Sequence, residues 1–63
     1  MDKFLSAKEL SQLLSIKQST IYFWAHQGII PYYKIKKLIR FRENEIKEWL
    51  IDKQQQKIHV EID

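Results

Sequence analysis

Sixty-three residues make one small domain, and at that size folding buries only about 60% of the surface the unfolded chain exposes. The absence of cysteine excludes disulfides and thiolate metal sites and fits a reducing cytoplasm, while no apolar run approaches the roughly 18 residues of a membrane span and no signal peptide opens the chain. At 44% hydrophobic, 13% aromatic and a net charge of +3, the chain reads as a soluble, basic, compact domain rather than a disordered one.

Ser6 followed by Glu9 has the spacing of a capping box, in which the hydroxyl and the carboxylate each accept from the other residue's backbone amide. Phe4 or Leu5 ahead of it is placed to act as a hydrophobic staple. Ala7, Leu10, Leu13 and Leu14 recur at helical spacing, which predicts a first helix over 7–14. Ser15 and Ile16 break the pattern, with Ile16 expected to point inward. Ile21, Trp24 and Ala25 then stand at i, i+3 and i+4, which predicts a second helix over 18–27. Gly28, the only glycine, lies where a helix would stop on a left-handed residue. Pro31, the only proline, forbids continuation and drives Ile30 toward an extended conformation.

From Tyr32 to Phe41 the period changes to two. Alternation assigns Tyr33 and Ile35 to one side, matched by Ile39 and Phe41 across a short turn near Lys36 and Lys37, with Lys34 and Arg40 on the other. The expectation is a hairpin with an apolar inner face and a cationic outer face. Its turn contains no glycine or Asn-Gly pair, so turn type and register stay open. Glu43, Asn44 and Glu45 suit a helix N-terminus, and Ile46, Trp49, Leu50 and Lys53 carry a third helix over 43–55. Trp24 and Trp49 are expected at the centre of the core. Residues 57–63 alternate through Ile58, Val60 and Ile62 and read as a short strand, a helical extension or a disordered tail, so the domain is assigned to 1–56 and the tail to 57–63.

Charge is segregated along the chain. From Lys17 to Arg42 there are six basic residues and no acidic one, whereas the remainder holds five basic and eight acidic residues. A local surface of one sign favours a polyanion. Two short helices joined by a tight turn are the elements of a helix-turn-helix, whose second helix reads the major groove. A basic hairpin directly after it makes a wing, and the last helix closes the core. The fold class is therefore α+β, mostly helical: a winged helix-turn-helix with a two-stranded wing.

The ordered series Phe4-Leu5-Ser6-Ala7-Lys8-Glu9-Leu10, Leu13-Leu14, Ser19-Thr20-Ile21-Tyr22-Phe23-Trp24, Gly28-Ile29-Ile30-Pro31, Ile39-Arg40-Phe41-Arg42 and Ile46-Lys47-Glu48-Trp49-Leu50 resembles the excisionase-type, MerR-like winged helix-turn-helix domains of bacteria and phages. The resemblance covers about Phe4 to Ile51. It implies a DNA-binding protein acting as a recombination directionality factor or a transcriptional regulator, often on a mobile element. The sequence departs from that family at three positions. Lys17 stands where a serine usually caps the second helix, Phe23 where an arginine is common on the exposed face, and Lys36 in place of the usual wing glycine.

The candidate DNA-binding residues are Lys17, Gln18, Ser19, Thr20, Tyr22, Phe23, Lys34, Lys36, Lys37 and Arg40. Gln18 suits a bidentate contact to adenine, and Phe23 can meet thymine methyls. Thr20 and Tyr22 offer hydroxyls to phosphate oxygens, although Tyr22 equally fits the edge of the core. Lys17 suits a phosphate, and the planar fork of Arg40 suits phosphate or a narrow minor groove. Arg42 is placed to pair with Glu45 or Glu43. His26 and His59 each lack a second ligand at metal-binding spacing, so no metal or cofactor is expected. No nucleophile stands with a base and an orienting partner, so no enzymatic activity or small-molecule substrate is expected. The expected partners are double-stranded DNA, a second copy on repeated sites, or an integrase. The alternative is a protein-interaction module that docks through Tyr22 and Phe23 or through the tail.

Overall fold

The computed structural model describes residues 2–56, with side chains through Lys53. The described elements are β1 (Phe4–Leu5), α1 (Ala7–Leu14), α2 (Gln18–His26), β2 (Tyr33–Ile35), β3 (Leu38–Arg42) and α3 (Glu43–Gln56). The winged helix-turn-helix order is present, with the ribbon extended to a three-stranded antiparallel sheet of order β1-β3-β2. The added strand β1 pairs Phe4 with Arg42 and Leu5 with Phe41. Two residues are too short to show alternation, which is why the sequence pattern passed over them. The tail over 57–63, including His59, lies outside the described residues.

Local chemistry sets the helix ends. The Ser6 hydroxyl accepts from the Glu9 amide at 3.1 Å and the Glu9 carboxylate accepts from the Ser6 amide at 2.9 Å, so two helix-end donors are satisfied reciprocally. Leu5 and Leu10 are both buried, the placement a staple requires, while Phe4 lies on the outer face of the sheet. Ser15 is left-handed (φ 56°), and the Ile16 amide donates to the Ser11 carbonyl at 2.9 Å, which turns the chain between α1 and α2. At the end of α2 the Gly28 amide donates to Ala25 and the Ile29 amide to Trp24. With Gly28 at φ +71°, these bonds form a Schellman stop.

The core consists of Leu5, Ala7, Leu10, Ile21, Trp24, Ala25, Ile30, Phe41 and Ile46, with Leu14, Ile16, Ile39 and Trp49 packed at its margin. Helix α1 packs on α2 and on β3, and α3 packs on β3. Phe41, Leu10, Ile21, Ile30 and Ile46 are its most deeply buried large side chains, rather than the two tryptophans. Trp49 is half-buried beside Trp24, ring centroids 5.9 Å apart, and its indole N–H donates to the Ile29 carbonyl at 2.9 Å. The need to satisfy that N–H holds the ring at the edge. Leu13, assigned to the apolar stripe of α1, is 61% exposed: the inward positions are Ala7, Leu10, Ser11 and Leu14, and Leu13 falls beside them. Leu50 of α3 is likewise exposed.

The hairpin register corrects the facing expected from alternation. Tyr33 pairs with Arg40, Lys34 with Ile39 and Ile35 with Leu38. Directly opposed residues in an antiparallel pair share a face. Lys34 therefore shares the core-side face with Ile39 and Phe41, while Tyr33, Ile35, Leu38 and Arg40 point outward. The cause is the two-residue turn at Lys36-Lys37, which couples Ile35 to Leu38, whereas the expected facing needed a three-residue loop. As an edge strand, β2 is exposed along its whole length, and burial did not impose its facing.

Candidate nucleic-acid interface

Burial of Ile21, Trp24 and Ala25 turns the opposite side of α2 outward. Lys17, Gln18, Ser19, Tyr22, Phe23 and His26 are exposed there, and Thr20 is half-buried. Tyr22 is 48% exposed and Phe23 58%, so neither serves the core. As the departure from a serine cap implied, the Lys17 side chain makes no capping hydrogen bond. Its carbonyl accepts from the Thr20 and Ile21 amides, and its ammonium is left at the start of the helix.

An open groove runs between α2 and the ribbon. Ser19, Tyr22, Phe23 and His26 form one wall, and Tyr32, Lys34 and Ile39 the other. The register creates it, because only a core-side Lys34 can meet the exposed face of α2. Lys36 and Lys37 occupy the ribbon tip, with Lys36 at φ +57°. That left-handed conformation explains why a glycine would suit the position. Arg40 stands on the outer face of the ribbon, away from Lys34, and its Nη1 donates to the Ile39 carbonyl at 2.8 Å. The structure thus brings together Ser19, Tyr22, Phe23 and Lys34, sets Lys17, Gln18 and Thr20 at the head of the same helix, and separates Arg40 from them.

The acidic residues are organised elsewhere. Asp2 accepts from Arg42 Nε at 2.7 Å and from the Asn44 amide at 3.1 Å, while the Lys3 carbonyl accepts from the Glu43 amide. The N-terminal segment therefore caps α3 across the sheet. Burial opposes the charge on Asp2, but the Asn44 amide and Arg42 outweigh it and hold its pKa below the ordinary value. The Ser6 amide and hydroxyl do the same for Glu9, helped by the charges of Lys3 and Arg40. Tyr33 donates to Glu45 at 2.8 Å and accepts from Arg42 Nη1, and Arg42 lies 3.8 Å from Glu45, which ties β2 to α3. Of the partners expected for Arg42, Glu45 is present. Asp2 was missed, because nothing local links residues forty positions apart.

Among the described residues Lys17, Lys34, Lys36 and Lys37 make no ion pair, so their charge faces solvent uncompensated. No cluster of three or more metal-ligating side chains and no helix long and apolar enough to cross a membrane occurs among the described residues. A family model described as a helix-turn-helix domain matches residues 4–54. Searches of the curated proteins and of the solved structures found no match.

Proposed function

We propose, since the chain belongs to the helix-turn-helix domain family, that it is a small sequence-specific duplex DNA-binding protein of excisionase type. It would act as a recombination directionality factor, a transcriptional regulator or both, in the cytoplasm. Helix α2 lies in the major groove, and the basic ribbon lies on adjacent backbone or in the minor groove. The observation that carries this reading is the open groove joining Lys34 to Ser19, Tyr22 and Phe23. It aligns a cation of the ribbon with the outward side of the helix. In this reading Gln18 and Ser19 meet base edges. Lys17, Thr20, Tyr22, Lys34, Lys36 and Lys37 meet phosphates, and Arg40 reaches backbone from the outer face of the ribbon.

A module of this size buries little surface, so it works as neighbouring copies on repeated sites or beside an integrase. Fluorescence anisotropy with labelled duplex over a salt series tests the reading. With four or five cations on phosphate, log affinity falls with log salt at a slope near about −4, at roughly −0.9 per contact. A flat salt response overturns it.

The exposure of Tyr22 and Phe23 supports a second reading, a protein-docking surface. That reading requires a complex whose affinity is indifferent to salt and is lost in Phe23→Ala.

A further inference from the structure

We infer that the domain selects A·T-rich sites by seating thymine C5-methyl groups against Phe23, an inference that rests on the DNA-binding reading above. Guanine is read chiefly by bidentate Arg or Lys, and cytosine by Asp or Glu. Between Gln18 and His26 helix α2 carries none of these four residue types. Besides Ser19 and His26, it exposes Gln18, suited to adenine, and one turn on two large aromatic side chains.

These aromatics are not a stray apolar patch. They line a groove whose opposite wall contributes Lys34, and Lys17 stands at the head of the same helix, both without an ion pair among the described residues. An apolar wall within a cationic frame fits a polyanion that displays apolar groups between its charges. In the major groove of B-DNA the group that meets this description is the thymine methyl. A methyl that leaves water against Phe23 is worth about 0.8 kcal/mol, or about fourfold in affinity.

The test uses the full chain. Binding sites are first selected from a random duplex library, and the preferred duplex is then made with thymine or with deoxyuridine, which differs only by the methyl. The expected results are an A·T-rich site and an affinity about fourfold weaker for each contacted position that carries deoxyuridine. Phe23→Ala should bind both duplexes alike with an unchanged salt slope, and Phe23→Arg should move selection toward guanine at one position. A G·C-rich selected site, or wild-type protein indifferent to the methyl, overturns this inference while leaving DNA binding intact. Failure to bind any duplex in a salt-dependent way overturns the DNA-binding reading and this inference with it.

Discussion

Lys34 and Ile39 stand directly opposite each other across the ribbon, so the lysine shares the core-side face of the isoleucine and reaches the groove lined by Ser19 and Tyr22. Arg40, one residue further along β3, points the other way. Lys34→Ala should weaken binding to all duplexes and reduce the magnitude of the salt slope by about 0.9, the share of one phosphate contact. Arg40→Ala should cost less, because its guanidinium occupies the outer face and is bonded to the Ile39 carbonyl. Anisotropy at several salt concentrations separates the two variants, and a larger effect for Arg40 would put the outer face on the DNA.

The ribbon tip carries a cost in stability. Lys36 adopts φ +57°, where a side chain costs about 1–2 kcal/mol. Glycine removes that cost but loses about 0.5–1 kcal/mol in backbone entropy. Lys36→Gly should therefore stabilise the fold by roughly 0.5–1 kcal/mol, a rise in Tm of several degrees for a domain of this size. The same change removes a cation, so DNA affinity should fall as stability rises. Thermal unfolding and anisotropy on one preparation check both signs.

Phe41 is fully buried and Leu13 is 61% exposed, although both are large and apolar. Truncating a buried Phe costs about 3–5 kcal/mol. A chain of this length has roughly 3–9 kcal/mol in total. Phe41→Ala should remove a third or more of that stability, read as a sharply lowered Tm by circular dichroism, while Leu13→Ala should stay within about 0.5 kcal/mol of the parent. A large loss at Leu13 would contradict its outward placement.

Asp2 and Glu9 both have pKa values lowered in the folded state. A lowered pKa means that the unfolded chain binds protons more readily, so the stabilisation is complete above the ordinary carboxylate range and is lost as pH falls through the folded values. Thermal stability should therefore decline below about pH 5. Asp2→Asn combined with Glu9→Gln, which keeps acceptors at both positions, should flatten that decline. Denaturation curves across the acid range measure it.

The ends of α1 and α2 were legible because their signals are local. Ser6 and Glu9 are three residues apart, and Gly28 sits at the position that must turn left-handed. The outward face of α2 followed from the spacing of Ile21, Trp24 and Ala25. The strand β1 and the cap that Asp2 places on α3 were not legible, since each depends on a partner some forty residues away. Nor was the separation of Arg40 from Lys34. A pattern of period two states that neighbours alternate, but not which neighbour faces the core.

The order of the three helices and the hairpin, the helix boundaries and the concentration of positive charge between Lys17 and Arg42 were decided by the sequence alone, through backbone preferences and hydrogen bonds that act within a few residues. Which cation joins the helix that faces outward was decided only by tertiary structure. The two-residue turn set the register of β3 against β2, and packing of Ile39 and Phe41 on the helices chose the side. Shifting that register by one residue would turn Lys34 outward, away from α2, and with β2 exposed along its whole length it is the turn, not burial, that prevents the shift.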